Sequence, residues 1–150
     1  MSNWINELID NYYNFLKGRT GIITDTGTNW SVISTPFIGL FNDTLEVYTR
    51  KEGDKITLSD DGITIKNLDL IGSAISRSAK RKELFDKILL NYGIQIIENE
   101  LLTEATENTF AQKKHNLISA ISEINDMYML AKHTVSSIFK DDVRDRKSVV

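Results

Sequence analysis

The chain has 150 residues, 41% hydrophobic and 26% charged, a composition typical of one soluble globular domain and not of a disordered or fibrous chain. It contains no cysteine, which excludes disulfides, a thiolate nucleophile and a zinc site built on sulfur. The formal net charge of −3 gives no long-range attraction for nucleic acid, so we do not expect direct nucleic-acid binding. No run approaches the ~20 apolar residues of a membrane span, and no signal peptide is recognisable. We therefore expect a cytoplasmic protein without a membrane partner.

Three helices are predicted from apolar residues that recur at spacings of three and four. The first covers residues 3–17, and the second covers residues 78–92, where Gly93 follows as a left-handed cap. The third and longest covers residues 110–132. A further helix is expected after Thr134.

Five short strands are predicted between the first two helices, because β-branched and aromatic residues alternate there with turn residues. They cover residues 21–25, 30–37, 44–50, 55–58 and 63–65. A separate small hairpin is predicted from residues 94–97 and 101–105.

The predicted fold is therefore α+β: an antiparallel meander of about five strands plus a small hairpin, packed with an N-terminal, a central and a long C-terminal helix. Residues 1–134 are expected to form a single domain. Residues 135–150 are expected to be a helical extension or a junction to a second domain.

Several motifs occur in a characteristic order along most of the chain. They are Thr35-Pro36-Phe37, Asn42-Asp43, Leu58-Ser59-Asp60-Asp61-Gly62, Lys80-Arg81-Lys82-Glu83-Leu84, Tyr92-Gly93-Ile94, Ala105-Thr106-Glu107-Asn108 and Gln112-Lys113-Lys114-His115. In this order and spacing the chain resembles the bacterial and phage family called domain of unknown function 1828. The resemblance implies an origin in a bacterium or its mobile elements and carries no established activity.

Two features depart from that family pattern. Gly39 stands where the family tends to carry an aspartate shortly after Thr35-Pro36-Phe37, which weakens any mechanism that needs a carboxylate there. In larger relatives a second domain follows the segment that resembles residues 136–143, whereas this sequence ends at Val150.

Four acidic residues of the predicted meander, Asp43, Glu46, Asp60 and Asp61, are candidate catalytic residues. Carboxylate oxygens are the ligands that Mg²⁺ prefers, so Asp43, Asp60 and Asp61 could hold a divalent metal ion for a nuclease. The Glu-x-Lys motif that such nucleases usually carry is absent from the sequence. Asp60-Asp61-Gly62 is also typical of a tight turn, which predicts no metal and no cofactor.

Four cations, Arg77, Lys80, Arg81 and Lys82, surround the predicted start of the central helix. The helix macrodipole disfavours positive charge at that end, so the cluster breaks a local rule. It predicts a site for an anion or an acidic partner, or else an ordinary solvated surface.

Three aromatic residues are candidate interface anchors: Tyr13 and Phe15, which we place off the main apolar stripe of the first helix, and Phe41, in a predicted loop. Ordinary core packing is the alternative.

No nucleophile elbow, P-loop or histidine pair with metal-ligand spacing occurs in the sequence, so an enzyme is not favoured. We expect a non-enzymatic interaction module that binds a host or phage protein, for example by inhibiting a defence system or by binding a repressor. The alternative is a metal-dependent nuclease or another phosphate-handling enzyme that uses the four acidic residues. The sequence leaves the oligomeric state open.

Overall fold

A computed structural model describes residues 3–132. Within this range the chain forms four α-helices: α1 (Trp4–Gly18), α2 (Ile63–Leu70), α3 (Ala79–Tyr92) and α4 (Phe110–Lys132). The same residues form six strands: β1 (Gly21–Asp25), β2 (Trp30–Ile38), β3 (Thr44–Glu52), β4 (Lys55–Ser59), β5 (Gln95–Ile97) and β6 (Glu100–Ala105). The helix predicted after Thr134 and the proposed extension over residues 135–150 lie outside the described residues.

The strands form one antiparallel sheet in the order β1-β2-β3-β4-β6-β5. The first four strands are the predicted meander, and β5 and β6 are the predicted hairpin. β6 pairs with β4, with Leu58 opposite Thr103, so the hairpin extends the meander instead of standing apart from it. The α+β prediction is confirmed.

One face of the sheet supplies the core, because alternate residues of β2, β3, β4 and β6 are buried. Helices α2 and α4 pack on this face, and α3 packs against α4. The most deeply buried large apolar side chains are Val47, Leu58, Leu68, Leu101, Leu117 and Ile124. No helix within residues 3–132 combines the length and apolarity needed to cross a membrane.

The predicted fifth strand is wrong, because residues 63–65 form the first turn of α2. Ile63-Thr64-Ile65 favours a strand locally, but Gly62 takes a left-handed conformation (φ 75°) and redirects the chain. The backbone N–H of Thr64 donates to the Asp60 carboxylate, which satisfies one of the free donors at the helix start. The helix then buries Thr64 and Leu68, four residues apart, on one face.

Helix α1 forms as predicted, but it does not pack into the core: none of its residues is buried. The core face of the sheet is already occupied by α2 and α4. The apolar face of α1 is therefore exposed, and its Trp4 is 60% exposed.

Candidate functional site

Asp60, which follows β4, is almost fully buried, with 2% of its surface exposed. Its Oδ1 accepts hydrogen bonds from the backbone N–H groups of Gly62 (2.9 Å) and Leu101 (2.9 Å). Its Oδ2 accepts a third, from Thr64 (3.1 Å). The carboxylate thus joins the end of β4 to the start of α2 and to β6, and both oxygens are engaged by the chain itself.

Asp43 and Asp60 border one small cavity of about 40 Å³, between the start of β3, α2 and α4. Asn67 of α2 and Asn125 of α4 add amide groups to its wall. Gly39 closes one side, because a Cβ there would meet Asp43 Oδ1 and a Leu45 methyl at 3.0 Å. Any larger side chain at position 39 would therefore require the Asp43 carboxylate and the Leu45 methyl to move.

Glu46 also borders this cavity, but strand alternation directs its side chain away from Leu45 and Val47, onto the opposite face with Tyr48. Burial raises the pKa of the Tyr48 hydroxyl, and the charges of Glu46 and Asp61 raise that pKa further. The charges of Glu46 and Asp61 therefore influence the face of the sheet opposite to Asp60. The four predicted catalytic carboxylates are divided between two faces.

The face around Tyr48 is not covered by α2, α3 or α4, and it carries a cavity of about 220 Å³. The polar and aromatic groups of its wall come from five segments: Asp25, Trp30, Tyr48, Asp61 and Glu100. Sequence reasoning missed four of these, Asp25, Trp30, Tyr48 and Glu100. Strand alternation is the sequence signal that could have placed residues on this face. In the structure, Val32, Tyr48, Ser59 and Leu102 align across β2, β3, β4 and β6.

Within residues 3–132, no three histidine, aspartate or glutamate side chains lie close enough to bind one metal ion. Ser59 Oγ, next to the predicted acidic pair, donates a hydrogen bond to Glu100 and accepts one from the backbone N–H of Asp61 (2.9 Å). The Asp60-Asp61-Gly62 segment is thus a turn held by its own hydrogen bonds, as its residue types predict.

Two of the four cationic side chains around the start of α3 bind other groups of the protein. Lys82 pairs with Asp86 (2.9 Å), one helical turn later, and Arg77 donates to the Gly72 carbonyl (3.3 Å). Lys80 and Arg81 have no side-chain partner among the described residues. The Ser78 hydroxyl caps the helix by accepting a hydrogen bond from the backbone N–H of Arg81 (3.3 Å). One of the amides in the first turn is therefore already used and cannot bind an anion.

The three candidate interface aromatics are all exposed: Tyr13 by 62%, Phe15 by 50% and Phe41 by 48%. Phe15 follows Leu8 by two helical turns, so it belongs to the apolar stripe of α1 and not beside it. Arg19 covers its ring at 4.5 Å. Phe41 lies in the loop between β2 and β3, beside the exposed Phe37 and Ile38.

The Thr35-Pro36-Phe37 motif forms an irregularity in β2, where its register with β3 shifts between Ser34 and Ile38. Pro36 cannot donate to the ladder, and the buried Thr35 hydroxyl instead donates to the Leu45 carbonyl (2.6 Å). The loop that follows returns to the core, since Leu40 packs against it and the backbone N–H of Gly39 donates to the Asp43 carbonyl (2.6 Å).

Comparison with known proteins identifies the family. Residues 35–124 match the family model described as Domain of unknown function DUF1828, from the second half of β2 to most of α4. Helix α1 and strand β1 lie outside the matched segment. No curated protein and no solved structure shows significant similarity to the chain. The match covers more than half of the chain, which therefore belongs to the DUF1828 family.

Proposed function

We propose that the chain is a non-enzymatic protein-interaction module of a bacterium or of its phage, acting in the host cytoplasm on a host or phage protein. The observation that carries this proposal is the position of the exposed apolar side chains. Among the described residues, most of the large ones lie between Trp4 and Phe41, in α1, β1, the end of β2 and the β2–β3 loop. Exposed apolar residues concentrated in one part of a surface are typical of protein interfaces.

For a foreign partner we propose the loop surface, which we define as Phe37, Ile38 and Phe41. The hydrogen bond of the buried Thr35 hydroxyl to the Leu45 carbonyl fixes the backbone before Phe37 and Ile38, which limits the freedom that these side chains lose on binding. Lys80 and Arg81 on α3, which have no side-chain partner among the described residues, would form a separate contact with an acidic region of a partner. Inhibition of a defence system and binding of a repressor are both compatible with such a surface.

The nuclease alternative has less support. A metal site needs free carboxylate oxygens around one point, whereas Asp60 uses both of its oxygens on backbone amides, and Glu46 and Asp61 act on the opposite face of the sheet.

The proposal is tested by affinity capture from host lysate with quantitative mass spectrometry, comparing the wild type with two matched serine variants. Phe41→Ser changes the loop surface, and Leu90→Ser changes an 82% exposed apolar residue of α3 as a control. We expect Phe41→Ser to lose at least about tenfold of the specific partner, as removal of a central aromatic anchor does. Equal capture by both variants and the wild type would refute the loop surface.

A second experiment separates the interaction module from the hydrolytic alternative. Mg²⁺ or Mn²⁺ added to the purified protein should neither raise its melting temperature nor produce cleavage of DNA or RNA. A metal-dependent rise in melting temperature that Asp43→Asn removes would favour the nuclease.

A further inference from the structure

The face of the sheet that carries Tyr48 has a cavity whose walls combine aromatic rings with carboxylates. Its volume is about 220 Å³. Pockets for drug-sized ligands have roughly 300–1,000 Å³, so this cavity has the size for one side chain or a small ion. The groups that characterise its wall are two rings and three carboxylates: Trp30, Tyr48, Asp25, Asp61 and Glu100. No lysine, arginine or histidine of residues 3–132 lines it.

The three carboxylates have no counter-ion in the part of the chain that the structure describes. Neutral donors hold two of them in place: Glu100 accepts a hydrogen bond from Ser59 Oγ, and Asp25 accepts one from the backbone N–H of Gly27 (2.9 Å). The Asp61 carboxylate accepts no hydrogen bond within the same residues. The cavity wall therefore carries three negative charges that a positively charged ligand would balance.

The hydroxyl of Tyr48 shows that this negative charge acts inside the cavity. Burial chiefly raises the pKa of Tyr48, and the charges of Glu46 and Asp61 raise it further. The hydroxyl has no hydrogen-bond partner among residues 3–132, so its oxygen can accept from an N–H donor of a ligand.

The rings of this face offer a second attraction for a cation, through their π-electrons. The guanidinium carbon of Arg50, on the same face, already lies 4.7 Å from the centroid of the Trp30 ring. The charge of Arg50 is balanced by Glu52 at 2.8 Å, so Arg50 does not neutralise the carboxylates of the cavity. The Tyr48 ring has no stacked cation in the described part of the chain. An indole of this face thus binds a guanidinium within the protein, and a second ring lies beside uncompensated carboxylates.

We propose that this cavity binds the guanidinium group of a ligand, either an arginine side chain of a protein or a free guanidinium compound. A guanidinium is planar, so it can stack on a ring while its in-plane N–H groups donate to carboxylates at the edge of that ring. An alkylammonium has no flat face and is more strongly hydrated, so it fits these walls less well. The inference goes beyond the proposed function, because the cavity shares no residue with the loop surface.

NMR titration of the full chain with N-acetylarginine N-methylamide tests the inference. The two caps remove the amino and carboxylate charges, so the guanidinium is the only charged group of this probe. We expect saturable shifts of the Trp30 indole N–H and of the Tyr48 ring, with a dissociation constant on the order of 1–10 mM. The equally capped citrulline, which has nearly the same shape without the charge, should bind at least about tenfold more weakly, and the capped lysine should also bind more weakly than the arginine.

Two substitutions that remove charge and keep shape test the role of the carboxylates. Asp61→Asn and Glu100→Gln should each raise the dissociation constant about two- to fivefold, and the double variant about four- to twenty-five-fold. Asparagine suits the left-handed backbone at position 61 (φ 59°), so this variant keeps its fold. Asp43→Asn, which removes a charge on the other face, is the control and should leave the affinity unchanged.

A peptide with one central arginine among glycines and serines identifies the source of the guanidinium. Tighter binding of this peptide than of the capped arginine would indicate a protein ligand, and equal or weaker binding would indicate a small guanidinium compound; both results support the cavity as a guanidinium site.

Three results would overturn the inference: no saturable shift at about 50 mM capped arginine, equal binding of the capped citrulline, or an unchanged affinity in the double variant. None of them would affect the proposed function, since capture by the loop surface is measured with Phe41→Ser. Conversely, a chain that binds capped arginine but captures no foreign protein would support this inference and refute the proposed function.

Discussion

Asp60 illustrates how one carboxylate can organise a local structure. Three backbone N–H groups from separate places in the chain converge on it, and the one from Leu101 lies 41 residues away. Hydrogen bonds to a charged acceptor contribute about 1.5–3 kcal/mol each, more than neutral ones. Burial of a charge is tolerated here because these donors replace its hydration.

We expect Asp60→Asn to lower the free energy of unfolding by about 2–3 kcal/mol, because the amide NH₂ cannot accept and leaves a buried backbone N–H without a partner. Urea denaturation in the presence of a chelator measures this change in the free energy of unfolding. Asp61→Asn is the matched control. Its exposed, left-handed position (φ 59°) suits asparagine, so its effect should stay within about 0.5 kcal/mol. Equal stability of Asp60→Asn and the wild type would contradict a structural role.

The titration of Tyr48 reports the geometry of the uncovered face. Burial chiefly raises its pKa above the ordinary value of 10.0, and Glu46 and Asp61 add to the effect. Asp61→Asn should lower this pKa while leaving it above 10.0, as followed by NMR of the tyrosine ring. Asp43→Asn, which belongs to the other face, should leave the pKa unchanged.

The same shift has a consequence for stability. The pKa of Tyr48 is higher in the folded state than in the unfolded state. The contribution of Tyr48 to the free energy of unfolding is therefore fully present below about pH 10, and it is lost as the pH rises through the folded-state pKa. Asp61→Asn should reduce this alkaline loss. An unchanged pKa in Asp61→Asn would show that Asp61 does not act on Tyr48.

At the scale of elements, caps and turns were the most predictable features. Gly93 ends α3 in a left-handed conformation (φ 66°), as the sequence predicted, and the long α4 begins at Phe110, as predicted. Both depend on signals within a few neighbouring residues. The small hairpin was predictable for the same reason, whereas its pairing with β4 was not, because Leu58 and Thr103 are distant in sequence.

The predicted fifth strand was wrong because turn residues and packing override a local strand preference. Residues 63–65 have the composition of a strand, but the neighbouring Asp60 and Gly62 start a helix there, and that helix buries Leu68. The candidate site depends on contacts between distant segments. The cavity around Tyr48 joins five segments, and no local pattern shows that Asp25 and Glu100 lie on one cavity wall.

Gly93→Ala should lower the free energy of unfolding by about 1–2 kcal/mol, because an L-residue at positive φ is strained. The strain is the whole effect, since the nearest atom to a new Cβ is Lys113 Nζ at 4.0 Å. Thermal unfolding measures it. Gly18→Ala is the control, because its φ is not positive and nothing lies within 4 Å. It should be neutral or slightly stabilising.

At the scale of the whole molecule, stability is expected to be uneven. The strands β3, β4 and β6 surround the core, whereas α1 has no buried residue. Native-state hydrogen exchange should therefore show α1 amides exchanging through local opening and central-strand amides exchanging only with global unfolding. Equal protection of α1 and the central strands would contradict this distribution of stability.

The strand order has a consequence for synthesis of the chain. Leu58 of β4 pairs with Thr103 of β6, about 45 residues further along. At about 5–20 residues per second, a ribosome needs roughly 2–9 seconds to produce that partner. During this interval the nascent β4 has an open edge on the side that later becomes the interior of the sheet. Helices α2 and α3 are synthesised before β6 covers that edge.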